Sequence, residues 1–424
     1  MLSSKESQNI LIHQTLKQFW GFDEFRSSQE QIILSIINGK DTLALLPTGG
    51  GKSLCYQLPA IILEGTCLVI SPLLALMRDQ LLSLQALGIE AELLSSDLDE
   101  FEEETVYNRC KEGLTKVLFV SPERLQNQLF LRNIQEIHIS FIAVDEAHCI
   151  SEWGQDFRPS YQNIKKFRQD FKNVPCLALT ATATNQVVDE ISIKLGLHHP
   201  QIFKQSFRRD NLNIIVGNTA DKYNRILEFL RQNPSSGVIY TRTRKEAEEL
   251  THYLKNNNFQ NVDFFHAGMT SRDRENFQKK WITSQFHVLV STNAFGMGID
   301  KDNVRFVIHF SPSSTLENYY QEIGRAGRNG QEAIVLLLWN EQELKSIDDI
   351  FKNQIPNKTE YEKILMYLYS IFQIADSDLP ERTFQLDINR IKNLTKLSTA
   401  KIKNILTFLN NQELVYYRNS VSSS

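Results

Sequence analysis

From residue 42 to residue 180, short apolar runs bounded by Gly, Pro, Ser or Asp alternate with longer stretches of helical character. The runs at 42–46, 67–71, 90–94, 117–121, 141–145 and 177–180 read as strands, while 53–63, 73–87, 100–112, 123–131 and 161–171 read as helices. Strands alternating with helices predict an α/β fold. Its parallel sheet is covered on both faces, and its chemistry lies at the C-terminal ends of the strands. Ahead of this block, 9–40 predicts two helices around Gly21-Phe22-Asp23-Glu24-Phe25-Arg26-Ser27-Ser28-Gln29. The second carries Ile32, Ile33, Ile36 and Ile37 at helical spacing. Beyond Phe207 the pattern restarts. Strands at 213–216, 237–240, 262–265, 288–291, 306–310 and 333–338 alternate with helices at 222–231, 244–256, 272–282 and 315–323. The last stretch predicts a helix at 361–372, two more at 387–397 and 398–410 about a tight turn, and a strand at 414–417.

Length sharpens this into domains. A chain of 424 residues exceeds what one hydrophobic core supports. The expected division is an α/β domain over 1–205, a second over 206–340 and an appendage over 341–424. The composition, 42% hydrophobic and 23% charged, is that of a soluble globular protein. Five cysteines (Cys55, Cys67, Cys110, Cys149 and Cys176) include no Cys-x-x-Cys pair, and none lies beyond Cys176. This argues for a reducing compartment and against a structural zinc in the C-terminal half. The N-terminus lacks a signal-peptide profile, and the most apolar stretch, 67–77, is interrupted by Ser71 and Pro72. The expectation is a cytoplasmic protein without membrane contact. A net charge of −4 gives no global sign of a polyanion partner, so any nucleic-acid contact must be local. The exception is the tail. From residue 382 onward, Arg382, Arg390, Lys392, Lys396, Lys401, Lys403 and Arg418 face Asp387 and Glu413, a net +5.

The strongest candidate chemistry is Pro47-Thr48-Gly49-Gly50-Gly51-Lys52-Ser53, between a predicted strand and a predicted helix. Its glycines let successive N–H groups turn inward, and the helix N-terminus adds partial positive charge, so the loop cradles phosphate. Lys52 reaches the outer phosphates and the Ser53 hydroxyl holds Mg²⁺. Leu46 stands where the general pattern has a further Gly. Asp145-Glu146-Ala147-His148 follows an apolar strand: Asp145 is placed to bind the Mg²⁺, Glu146 to polarise the attacking water, and His148 to couple the site to its surroundings. In Ile150-Ser151-Glu152-Trp153-Gly154-Gln155-Asp156-Phe157-Arg158, aromatics and a cation can stack single-stranded bases, with a buried loop anchor the alternative for Trp153. The Thr180-to-Thr184 hydroxyls can sense a phosphate, although Thr184 can equally cap the next helix. Gln29 offers a donor and an acceptor matching an adenine edge. The second half lacks a phosphate loop but carries Gln321-Glu322-Ile323-Gly324-Arg325-Ala326-Gly327-Arg328. Arg325 and Arg328, on one face of a helix end, are placed to neutralise charge on a γ-phosphate across a cleft.

These segments in this order resemble the RecQ branch of the superfamily-2 helicases, over roughly 18–331. The most specific parts are 47–53, 145–148 with the aromatic loop behind it, 294–301 and 321–328. The resemblance implies two tandem RecA-like domains closing on ATP·Mg²⁺, and 3′-to-5′ movement on single-stranded DNA with unwinding of forked duplexes, in repair and recombination. It implies adenine recognition by Phe22, Arg26 and Gln29, and a nucleotide contact from Asp300 beside those of Thr48, Gly49, Gly50, Gly51, Lys52 and Ser53. Catalytic roles fall to Lys52, Asp145, Glu146, Gln321, Arg325 and Arg328. DNA contact or coupling falls to Ser71, Arg78, Ser121, His148, Trp153, Phe157, Arg158, Thr180 and Thr182. Leu46 also fits the family's loop. The departure is the C-terminus: many relatives carry a four-cysteine zinc module there, whereas 341–424 resembles a small helical, winged-helix-like unit that stops at Ser-rich 420–424. A solvated helical appendage is the alternative. A monomer acting on DNA is expected. A translocase or RNA helicase on the same core, or a nucleotide-gated DNA-binding protein, are the competing readings.

Overall fold

The computed structural model describes every residue except 1–3, 152–156, 182, 207, 285–286, 294–300, 302, 375–383, 412–414 and 416–424. The chain divides into two compact units, Met1–Leu338 and Trp339–Ser424.

Two sheets organise the first unit. In the first, β1 (Thr42–Leu45), β2 (Thr66–Ile70), β3 (Ala91–Leu94), β4 (Val117–Val120), β5 (Ile139–Val144), β6 (Cys176–Thr180) and β7 (Gln201–Lys204) lie in the order β3-β4-β2-β5-β6-β1-β7, all parallel. The strands from β1 to β6 are buried on both faces, and successive residues feed opposite cores. In β2, Leu68 and Ile70 pack on one side while Cys67 and Val69 pack on the other. This is why they read as largely apolar runs, broken only by partly buried Glu92 in β3 and Ser140 in β5. The covering helices are α1 (Ser4–Trp20), α2 (Gln29–Ile37), α3 (Leu54–Ile62), α4 (Leu74–Ala86), α5 (Glu100–Lys111), α6 (Gln128–Ile134), α7 (Asn163–Arg168) and α8 (Asn185–Leu195). Local chemistry sets their ends. Asp99 and Glu102 form a reciprocal capping box that starts α5, and Thr184 accepts from the Val187 N–H to start α8. Thr184 is therefore a cap.

Two predicted helices are broken. The stretch 123–131 becomes a 3-10 helix, Pro122–Gln126, followed by α6, because Asn127 is extended (ψ 124°) and caps α6 through the Phe130 N–H. The stretch 161–171 is likewise α7 between short 3-10 turns. At the N-terminal end of the sheet, Arg168 donates to both Asp41 carboxylate oxygens at 3.1 Å and to the Leu195 and Gly196 carbonyls. Asp41 also accepts the N–H groups of Cys176 and His198, so this buried pair staples β1, β6, α7 and α8 together.

The second sheet holds β8 (Leu212–Asn218), β9 (Ser236–Tyr240), β10 (Val262–Phe265), β11 (Val288–Ser291), β12 (Val304–His309) and β13 (Ala333–Trp339), in the order β10-β11-β9-β12-β13-β8. The pairings along β10-β11-β9-β12-β13 are parallel. Helices α9 (Lys222–Gln232), α10 (Arg244–Asn256), α11 (Ser271–Ile282) and α12 (Leu316–Ile323) cover it. The second unit is helical: α13 (Glu341–Gln354), α14 (Lys358–Phe372), α15 (Ile388–Thr395) and α16 (Thr399–Asn411) surround a small core of Ile364, Leu368, Ile391, Ile402, Ile405 and Leu406. Of the strand predicted at 414–417, only Val415 is described, and it packs on this cluster. Among the described residues, no helix is long and apolar enough to cross a membrane.

Candidate functional site

The end of β1 opens into the loop 46–53, which leads directly into α3. Leu46 continues the sheet by donating to the Thr180 carbonyl, and the Gly50 N–H then turns back onto the Pro47 carbonyl. Gly49 and Gly51 hold φ of +78° and +72°. At Gly51 a Cβ would lie 2.2 Å from Gln29 Nε2, so both backbone and space demand glycine there. Gln29, almost fully buried, donates to the Gly50 and Gly51 carbonyls at 3.2 and 3.1 Å and accepts from the Arg26 N–H at 2.8 Å. Both ends of its amide are thus committed to the loop and its flank. Phe22 is half exposed nearby, with the Arg26 guanidinium 6.0 Å from its ring centre.

Asp145 follows β5, with its N–H bonded to the Ile70 carbonyl. Its carboxylate accepts from the Glu146 N–H at 3.0 Å and from the Ser71 hydroxyl at 3.5 Å. Burial, reinforced by Glu146 and partly offset by Lys52, pushes its pKa up to about 7. Glu146 sits in the left-handed region (φ 45°, ψ 47°), which costs a non-glycine residue roughly 1–2 kcal/mol. The strain aims its carboxylate into the site, where Oε2 lies 3.4 Å from His148 Nδ1 without a hydrogen-bond partner. His148 Nδ1 is 2.9 Å from Thr180 Oγ1, and the Tyr161 hydroxyl donates to the Asp145 carbonyl at 2.9 Å.

The opposite wall comes from the second sheet. Gln321 is in the last turn of α12, but the helix ends at Ile323, and Arg325 and Arg328 lie on the turn after it rather than on a helix face. The turn presses on the phosphate loop. A Cβ on Gly49 would touch the Arg328 stem at 3.3 Å, and one on Gly324 would lie 2.8 Å from Thr48 Cβ. Arg325 is buried against Tyr240, whose hydroxyl pKa burial pushes up to about 12. Between the walls is a cavity of about 830 Å³. It is lined by Thr48, Gly49, Gly51, Lys52, Ser53, Asp145 and Glu146 on one side and by Gln321, Arg325 and Arg328 on the other, with Phe22, Arg26 and Gln29 at one end. Gly50 is next to these, with its carbonyl on Gln29.

The residues expected to meet DNA divide by burial. Ser71, His148 and Thr180 are buried and form the hydrogen-bonded layer behind Asp145 and Glu146, so their geometry suits coupling and not surface contact. Arg158 donates to the Pro72 carbonyl at 2.8 Å, tying the aromatic loop to the turn after β2. Phe157 and Ser121 are half-buried, and exposed Arg78 pairs with Asp97. Trp153, Thr182 and Asp300 lie outside the described residues. Sequence reasoning passed over Tyr161, which carries no motif of its own. It also passed over Trp20 and Gln80, which extend the cavity wall from α1 and α4 beside Asp79, the end of the 71–79 segment expected at the DNA backbone.

A phosphate loop on one RecA-like sheet faces paired arginines from a second across one cavity, the arrangement of a two-lobed P-loop ATPase core, and two helicase models match it. The DEAD/DEAH box helicase model matches residues 26–191 and the helicase conserved C-terminal domain model matches 221–330. The chain belongs to the RecQ family. It is 44% identical over 331 residues to the probable ATP-dependent DNA helicase RecS of Bacillus subtilis (strain 168), covering 77% of this chain and 66% of the relative. It is 40% identical over 343 residues to the ATP-dependent DNA helicase RecQ of the same organism, covering 80% and 57%. The chain thus spans less than two thirds of the length of these relatives. Its fold is similar to that of Mss116p (NTE and C-tail double deletion) bound to ssRNA and AMP-PNP, with a TM-score of 0.66 at 17% identity, covering 96% of this chain and 93% of that one.

Proposed function

We infer that this protein is an ATP-driven DNA helicase, hydrolysing ATP at the cavity between the two sheets and moving 3′-to-5′ on single-stranded DNA. The observation that carries this is the meeting of Lys52, Asp145 and Glu146 with Gln321, Arg325 and Arg328 around one cavity. The phosphate-loop N–H groups and Lys52 bind the phosphates, while Phe22 and Arg26 wall the base end and Gln29 braces the loop against it. Ser53, whose hydroxyl is not spent on capping α3, and Asp145 would hold Mg²⁺, which supplies charge neutralisation to the phosphates when bound. A carboxyl whose pKa stands near 7 beside Lys52 suits that role, since a cation favours its ionised form. Glu146 orients the attacking water and accepts its proton. Arg325 and Arg328 stabilise the charge that develops as the terminal phosphoryl group leaves.

Coupling to DNA follows the buried layer. A strand pressing on the turn after β2, or on the aromatic loop, reaches Asp145 and Glu146 through Ser71, Arg158, Tyr161 and the His148–Thr180 pair. We assign 1–205 and 206–340 as the two motor domains and 341–424 as a DNA-binding appendage acting as part of a monomer. The test is ATP turnover with and without single-stranded DNA, together with unwinding of matched 3′-tailed DNA and RNA forks. DNA-stimulated turnover with DNA unwinding is expected. Turnover without unwinding would leave a translocase, and preferential RNA unwinding would overturn the DNA assignment.

A further inference from the structure

Residues 205–211 join β7 to β8, and two of their side chains are committed to the turn that carries the arginines. Arg209 donates through Nη2 to the carbonyls of Gly327 at 2.6 Å and Ala326 at 3.2 Å, and through Nη1 to the Thr48 carbonyl at 3.5 Å. Its Nε donates to Asn211 Oδ1 at 3.1 Å, which aims Asn211 Nδ2 at the carbonyls of Gly327 (2.9 Å) and Gln331 (2.8 Å). The turn is shaped to receive them. Gly327 has φ +59°, and a Cβ there would lie 2.5 Å from Asn211 Nδ2. Arg208, by contrast, is exposed and pairs with Asp210.

A splint needs only hydrogen-bond donors, yet this one is a cation beside Arg328 and Arg26. Burial first, and then those two arginines, disfavour the Arg209 charge, and an anion in the cleft relieves that cost. Its three carbonyl acceptors belong to the phosphate loop and to the two residues between Arg325 and Arg328. Any slack at Arg209 therefore displaces the arginines relative to the loop.

We propose that Arg209, supported by Asn211, is a positioning residue for hydrolysis, fixing the turn 324–328 against Thr48 so that Arg325 and Arg328 face the terminal phosphate. The proposal rests on the ATPase reading above.

The test is a double-mutant cycle. ATP turnover at saturating single-stranded DNA and affinity for a fluorescent ATP analogue are measured for wild type, Arg209→Ala, Arg328→Ala and the double variant. Arg209→Ala should lower kcat about 10²-fold, the scale of a 1 Å misplacement, with analogue affinity nearly unchanged. In the Arg328→Ala background the same change should cost clearly less, about tenfold or below, because one of the two groups it positions is already gone. Arg209→Lys guards against misfolding. It keeps the charge but cannot span the carbonyls as a planar fork does, so kcat should still fall about tenfold. Multiplicative losses in the cycle, an affinity loss matching the kcat loss, or wild-type turnover in Arg209→Lys would overturn the proposal. A wild type without turnover refutes the helicase reading and this proposal with it. Normal wild-type turnover with multiplicative losses refutes this proposal alone.

Discussion

Replacing Asp145 with Asn should stabilise the nucleotide-free protein, and by an amount that depends on pH. Burial and the neighbouring Glu146 raise the Asp145 carboxyl from an ordinary 3.8 to about 7. Between those values the folded protein holds a proton that the unfolded chain has released, so folding stability falls as pH rises through this window and levels off above about 7. At roughly 1.36 kcal/mol per unit, keeping Asp145 ionised at pH 8 costs the fold a few kcal/mol, whereas at pH 5 the folded protein still holds the proton and the loss is roughly half that or less. Asn removes the titration. It also weakens the bonds from Ser71 and the Glu146 N–H, but that loss is much the same at both pH values. The informative quantity is the pH difference. The melting-temperature gain of Asp145→Asn over wild type should be larger at pH 8 than at pH 5, by roughly 5–10 °C for a domain of this size. Calorimetry or scanning fluorimetry on the two proteins suffices. Equal gains at the two pH values, or a larger gain at pH 5, would refute the argument that this carboxylate is held ionised against its surroundings.

Glu146→Gln should bind ATP with near-native affinity and lose steady-state hydrolysis, which fluorescence titration and phosphate release will separate; normal turnover would remove Glu146 from the chemistry. Gly51→Ala sets a Cβ against Gln29 Nε2 and forces φ +72° on alanine, so nucleotide affinity should drop and stability should fall by roughly 1–2 kcal/mol, checked by titration and melting. Arg168→Ala, far from the cavity, leaves Asp41 a buried charge without its cation and should cost about 3–5 kcal/mol in urea unfolding. A cost below about 1 kcal/mol would mean that water reaches Asp41.

Buried parallel strands leave largely apolar runs, as in β2 and β4, with Glu92 in the edge strand β3 and Ser140 in β5 the partly buried exceptions, and so much of the fold was legible. The strand β7, Gln201–Lys204, was not, since an edge strand that is largely exposed carries polar residues indistinguishable from a loop. The reverse holds for β8, where Ile214, Ile215 and Val216 mark a strand yet remain exposed, so apolar character announced the element but not burial. Of the site, the phosphate loop and the Asp145-Glu146 pair could be read because their chemistry demands particular residues in adjacent positions. What escaped depends on contacts between distant segments. No sequence signal places the Gln29 amide on the Gly50 and Gly51 carbonyls, or the Arg209 guanidinium on three others. Backbone acceptors have no residue type, so no motif records them.

The connector between β7 and β8 also sets a mechanical limit. Seven residues, 205–211, are its entire length, and pulled straight they reach roughly 25 Å. However the cleft opens, the end of β7 and the start of β8 stay within that distance of one another. Re-closure is therefore an intramolecular encounter at high effective concentration, independent of how dilute the protein is. The same seven residues contain Arg209 and Asn211, so the tether that bounds the stroke also carries the catch that ends it.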